Sequence, residues 1–324
     1  MTVSLNSECM GDSCYSIIVK TLRKGYGRGL PPAVDLRDGF DVPKGELFGV
    51  IGPDGAGKTT LFRLLTTLIS PDEGEVTVQG LDIIKDYKQL RTIVGYMPGK
   101  FSLYPDLSVA ENLNFFASVF GTDVKSNYHL IEDIYCRLEP FADRKAGNLS
   151  GGMKQKLALC CTLIHSPQVL FLDEPTTGVD PSSRREFWET LARLKKTGMT
   201  IVVSTAYMDE ANRCDRVAMM KSGRFLKVDS PADIVASFDR TLVAVRSDDM
   251  FRLLQDLRSI EAVGRCYTFG DTHHAVLKAG SGASPEDIAQ LLEGRYGHTG
   301  VEVTLQTATL EDCYMNIDTD ADGR

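Results

Sequence analysis

Short apolar runs recur through the first two thirds of the chain. Leu47, Phe48, Val50 and Ile51 lie within 46–51, 169–172 is unbroken, and Ile201, Val202 and Val203 fill 199–204. Runs of this length between turn residues predict strands buried on both faces. A shorter β-rich run spans 17–20, followed by a Gly- and Pro-rich loop at 23–32. Between these runs the period lengthens. Lys58 to Leu68 is apolar at helical spacing, a second helix is expected at 183–195, and Met153, Leu157, Cys160, Cys161 and Ile164 share one helical face. The region from about 100 to 165 reads as helical. Buried strands alternating with helices predict an α/β fold built on a parallel sheet.

Beyond Pro231 the pattern changes. Strands are expected at 242–245, 262–269, 274–277 and 301–305, with helices at 250–257 and from Ser284-Pro-Glu-Asp287, an N-cap followed by a first-position proline and an acidic first turn. A short helix is expected from Thr309-Leu-Glu-Asp312. The order βαββαβ predicts a small ferredoxin-like α+β domain.

The 324 residues carry 36 basic and 44 acidic side chains, a net charge of −8. Fourteen of those acids, against seven Lys and Arg, lie in 241–324, so the excess is concentrated there. A nucleic-acid-binding chain shows the opposite sign, so no nucleic-acid partner is expected. The eight cysteines form no Cys-x-x-Cys pair and read as reduced, buried thiols. No apolar run reaches the roughly 18 residues that cross a bilayer, and the polar start has no secretory apolar core.

Three motifs carry chemistry. Gly52-Pro-Asp54-Gly55-Ala56-Gly57-Lys58-Thr59, with Thr60 after it, fits Gly-x-x-x-x-Gly-Lys-Ser/Thr. Such glycines turn backbone N–H groups toward phosphate oxygens, and the next helix points its positive end at the same anion. Lys58 reaches the β- and γ-phosphates and Thr59 offers a hydroxyl to Mg²⁺. Asp173 and Glu174 end an apolar strand. Asp173 is the candidate Mg²⁺ ligand and Glu174 the candidate general base. Leu149-Ser150-Gly151-Gly152-Met153 opens a helix with an anion-binding start.

Together these motifs resemble the ATP-binding subunit of an ABC transporter, over about 17–228, and most closely the drug-type ABC-2 exporters. The resemblance implies a P-loop cassette over 16–238 with a helical subdomain at about 100–165. A flexible tail over 1–15 precedes it, and the ferredoxin-like domain at 241–324 comes after it. It implies ATP and Mg²⁺ as cofactors, a transmembrane ABC-2 type permease and a second cassette as partners, and a peripheral place on the cytoplasmic side of the membrane. It also implies that Leu149, Ser150, Gly151, Gly152 and Met153 close over the partner's nucleotide, that Asp180 communicates across the dimer, and that Tyr26 stacks on adenine.

Two positions depart from the family. Val94-Gly-Tyr-Met-Pro98 is followed by Gly99 where the family has Gln, and Val203-Ser-Thr205 by Ala206 where it has His. None of the five histidines, at 129, 165, 273, 274 and 298, lies near enough in sequence to substitute. Both missing groups act at the γ-phosphate, so slow hydrolysis with retained binding is expected. An asymmetric pair, or a regulatory subunit that completes another cassette's site, would follow.

Overall fold

The structure is a computed structural model that describes residues 14–27, 29–100 and 102–322. The chain divides into two compact units, Met1–Pro231 and Ala232–Arg324. In the first, β1 (Tyr15–Lys24), β2 (Val34–Leu36) and β3 (Phe40–Pro43) precede β4 (Leu47–Ile51) and α1 (Lys58–Leu65). Then come β5 (Glu73–Val78), β6 (Leu81–Asp82), α2 (Tyr87–Ile93) and β7 (Val94–Met97). Three helices come next with no strand between them: α3 (Val109–Val119), α4 (Val124–Tyr135) and α5 (Gly151–Leu163). The unit closes with β8 (Val169–Asp173), α6 (Pro181–Lys196), β9 (Thr200–Thr205), α7 (Met208–Ala211), β10 (Arg216–Lys221) and β11 (Arg224–Asp229).

Six strands form the sheet β11-β10-β4-β9-β8-β7, parallel except for the β10–β11 hairpin. Register aligns Ile51 with Thr205 and both Val50 and Asp173 with Ser204. The loops leaving β4, β8 and β9 therefore share one edge of the sheet, where open α/β sheets hold their ligands. A second sheet, β2-β1-β5-β6 with β3 also on β1, is antiparallel. Its Ile17, Val19, Val76 and Val78 pack in one core with Phe48, Phe62 and Phe171.

Several expectations are revised. The loose tail expected over 1–15 lies outside the described residues except for Cys14 and Tyr15, and Tyr15 opens β1. That strand runs on through polar Lys20–Lys24 because β2 and β5 pair with it on either side. Helix α1 stops at Leu65 rather than Leu68: the Thr66 hydroxyl donates back to the Phe62 carbonyl at 2.7 Å, and Thr67 turns left-handed with φ 61°. Helix α5 is enclosed rather than one-faced. Leu157 to Cys161 are all buried, because α3, α4, α6 and β7 pack around it.

The second unit contains α8 (Pro231–Ala236), β12 (Leu242–Arg246), α9 (Met250–Ser259), β13 (Val263–Phe269), β14 (Thr272–Leu277), α10 (Pro285–Gly294), β15 (Glu302–Gln306) and α11 (Leu310–Asp322). The boundary precedes the one expected at 238–241. Phe238 packs on Leu242, Tyr267 and Val276, and the Cys313 thiol donates to the Ile234 carbonyl, so 232–240 belongs to the second unit. The sheet is β13-β14-β12-β15 and antiparallel throughout. Ser284 and Asp287 form a capping box at α10. Helix α11 has 13 residues, longer than the short helix expected. Among the described residues, no helix is long and apolar enough to cross a membrane.

Candidate functional site

The chain leaves β4 at Ile51, turns through 52–57 and enters α1 at Lys58. Gly57 caps α1 with φ 109°, and a Cβ there would lie 2.3 Å from the Ala33 carbonyl oxygen, so no larger residue fits. Serine or aspartate oxygens cap α5 and α6, but no side chain caps α1. Its first turn is therefore left to an external acceptor. Asp54 and Gly55 stand exposed at the crest of the loop, Gly52 and Ala56 are buried, and Thr59 and Thr60 are half-buried. Tyr26, 60% exposed, brings its hydroxyl to 3.3 Å from that of Thr60.

Lys58 is 3% exposed. Its ammonium donates to the carbonyls of Gly52 at 2.7 Å and Pro53 at 3.0 Å, and lies 3.2 Å from Glu174 Oε1. Asp173, at the buried end of β8, accepts a 2.6 Å hydrogen bond from the Ser204 hydroxyl at Oδ1. Burial pushes the Tyr96 phenol up to about 12, and the Asp173 charge beside it acts in the same direction. Glu174 has φ 47°, a left-handed conformation that non-glycine residues rarely adopt. Its N–H is shared between the Ser204 hydroxyl at 2.9 Å and the Ser204 carbonyl at 3.1 Å.

The two departing positions lie at this edge. A Cβ on Gly99 would sit 3.0 Å from the Asp173 carbonyl oxygen and 3.6 Å from Glu174 Cβ. Ala206, exposed, is the first residue after β9. Sequence patterns did not single out Ser204 or Glu210. Glu210 is buried and accepts from the hydroxyls of Thr176 and Thr205, each at 2.7 Å, and from Arg184 at 2.9 Å. The one signal for Ser204 in the sequence was a hydroxyl directly after the aliphatic run of Ile201, Val202 and Val203.

Leu149 is buried, and Ser150 caps α5 by accepting from the Met153 N–H at 3.3 Å. Gly151 is exposed. A Cβ on Gly152 would meet Ser183 Oγ at 2.5 Å, so the start of α5 is pressed against the first turn of α6. Asp180 caps that turn by accepting from the Ser183 N–H at 2.9 Å, which holds its carboxyl below the usual range. The segment 149–153 and Asp180 are thus neighbours. Among the described residues, no hydrogen bond or ion pair joins 149–153 to 52–60.

A glycine loop running into an uncapped helix, with a buried lysine facing Glu174 just past the end of β8, belongs to the P-loop nucleoside triphosphatase class. The ABC transporter family profile matches residues 37–177. The chain is 34% identical over 282 residues to the Nod factor export ATP-binding protein I of Burkholderia lata, covering 86% of this chain and 90% of that one. The chain belongs to the ATP-binding proteins of the ABC transporter family. It is also 41% identical over 307 residues to the probable multidrug ABC transporter ATP-binding protein YbhF of Escherichia coli K12, covering 93% of this chain. It spans about half, 52%, of that relative's length. The dimeric structure of MJ0796, a bacterial ABC transporter cassette, superposes with a TM-score of 0.60 at 25% identity, over 66% of this chain and 98% of that one.

Proposed function

We propose that the chain is the ATP-binding subunit of an export-type ABC transporter, acting from the cytoplasmic side of a membrane on a separate ABC-2 type permease. The observation that carries this reading is Lys58, held between the phosphate loop and Glu174 at the start of an uncapped helix. The names of the relatives support export; the loop geometry supports ATP. The Thr59 hydroxyl and Asp173 carboxylate are hard oxygen donors suited to Mg²⁺, whose charge, when bound, would offset that of the phosphates. Lys58 neutralises further phosphate charge, and the N–H groups of 55–60 hold the phosphate oxygens. Glu174, fixed at its backbone by Ser204, orients and deprotonates the attacking water.

Ser150, Gly151 and Gly152 complete the site of a second cassette in this reading, and Asp180, which meets the same first turn of α6, relays its state. The dimeric cassette similar to this chain supports such pairing. We read the second unit as ferredoxin-like, on its βαββαβ order and strand order, and as an accessory surface. Gly99 and Ala206 favour low turnover at the chain's own site, hence an asymmetric pair or a regulatory role. Steady-state ATP hydrolysis and ATP calorimetry, on the chain alone and reconstituted with its permease, test the proposal. Absence of Mg²⁺-dependent ATP binding sinks it. Binding without permease-stimulated turnover selects the regulatory form.

A further inference from the structure

We propose that Ser204 is a positioning residue that sets both strand-end carboxylates at once, an inference that rests on the ATP–Mg²⁺ reading above. Ser204 lies near the end of β9, between β4 and β8, in register with Val50 and Asp173. The three residues before it in the strand, Ile201, Val202 and Val203, are aliphatic, and at 0% exposure its own hydroxyl needs partners. It has two. The hydroxyl's single proton goes to Asp173 Oδ1 at 2.6 Å, and a lone pair receives the Glu174 N–H at 2.9 Å. The proton given to Asp173 fixes which side of the hydroxyl faces Glu174.

Both partners need this support. Glu174 sits at φ 47°, where an ordinary residue stays only if its surroundings hold it. Asp173 is 2% exposed, and its carboxylate must keep one orientation to ligate a cation together with Thr59. A serine that anchors one oxygen of one carboxylate and the backbone of the next couples metal affinity to the placement of the base. Groups that orient a metal ligand from behind in this way typically matter about 10–100-fold for affinity or activity. Thr205 and Thr176 serve Glu210 instead; Thr177 reaches the Glu174 carboxylate at 3.5 Å and the Tyr96 hydroxyl meets Asp173, so of these hydroxyls only that of Ser204 joins both residues.

The test uses the full chain with Ser204→Ala and Ser204→Thr, a fluorescent ATP analogue, and Mn²⁺ as a paramagnetic probe. In EDTA, nucleotide affinity is expected to stay within about 2-fold of wild type in both variants, because the phosphate loop is untouched. Mn²⁺ affinity of the ATP-bound chain is expected to weaken roughly 10-fold in Ser204→Ala and to recover to within about 3-fold in Ser204→Thr. If Ser204→Ala does not fold, Ser204→Cys, similar in size and a weak donor, takes its place with the same expected loss. Wild-type Mn²⁺ affinity in the Ala or Cys variant, even with a lowered melting temperature, overturns the proposal and leaves the nucleotide reading intact. A wild-type chain that binds neither nucleotide nor Mn²⁺ overturns both.

Discussion

The ammonium of Lys58 lies 3.2 Å from Glu174 Oε1, so the cation expected to meet phosphate also faces the expected general base. At 3% exposure this charge cannot rely on water, and the Gly52 and Pro53 carbonyls supply its remaining partners. A phosphate that draws Lys58 away also frees Glu174.

The two residues should therefore separate binding from turnover. Lys58→Ala is expected to abolish tight ATP binding, since the loop N–H groups alone only partly offset phosphate charge. Glu174→Gln is expected to keep ATP affinity within a few fold and to lose most turnover. Calorimetry and steady-state hydrolysis check the pair. Unchanged affinity in Lys58→Ala contradicts the phosphate-loop assignment.

The departures make a second case. Ala206→His with Gly99→Gln is expected to raise turnover about 10-fold with ATP affinity nearly unchanged, measured with the natural partner chains. A well-placed donor in the transition state contributes about 3–4 kcal/mol, or roughly 100- to 1000-fold. The gain falls short of that because a side chain at Gly99 begins 3.0 Å from the Asp173 carbonyl oxygen. Ala206 is exposed and imposes no such limit, so Ala206→His alone should supply most of the effect. Equal turnover in wild type and both variants means that other groups already serve the γ-phosphate.

The parallel sheet and its site were legible because their signals are local. A buried strand is a run of aliphatic residues, and a phosphate loop needs its glycines and lysine in sequence. The antiparallel sheet of the first unit was not. β5 contains exposed Glu73, Gly74 and Glu75, and β1 continues through exposed Lys20, Thr21 and Arg23, so neither shows an apolar run along its length. Ser204 and Glu210 act through partners about 30 residues away in sequence, at Asp173 and Thr176, and only strand register reveals those. The domain break was placed late because Phe238 looks like linker until Tyr267 and Val276 are seen against it.

The unit boundary leads to a third expectation. A chain ending at Pro231 should bind ATP with affinity within about 3-fold of the full chain. Every phosphate, metal and base candidate lies before it, and the core cluster around Phe48, Phe62 and Phe171 is built from residues of the first unit. Circular dichroism checks that the truncated chain folds and calorimetry reads its affinity. A folded chain that binds no ATP would assign the second unit a part in the site.

Asp312 gives the last prediction. It is fully buried, accepts 2.7 Å hydrogen bonds from the Tyr267 hydroxyl and from the N–H and hydroxyl of Thr309, and lies 2.6 Å from His274 Nδ1. These partners tie the start of α11 to β13 and β14. Burial pushes the carboxyl upward, but His274, Thr309 and Tyr267 together outweigh it and leave it below the usual range. The sign comes from proton counting. With a folded value below the unfolded one, near 3.9, the native state binds fewer protons, so the contribution is complete above that value and is lost as pH falls through the folded one. Asp312→Asn should cost about 1–3 kcal/mol at pH 7, the range for leaving buried hydrogen-bond partners unsatisfied. It should also flatten the fall in stability below about pH 4. Hydrogen exchange of the amides in β12–β15, measured in the full chain at pH 7 and pH 4, isolates the second unit. If Asp312→Asn leaves those amides as protected as in wild type at pH 7, the cluster does not hold the sheet and α11 must be anchored by its apolar contacts alone.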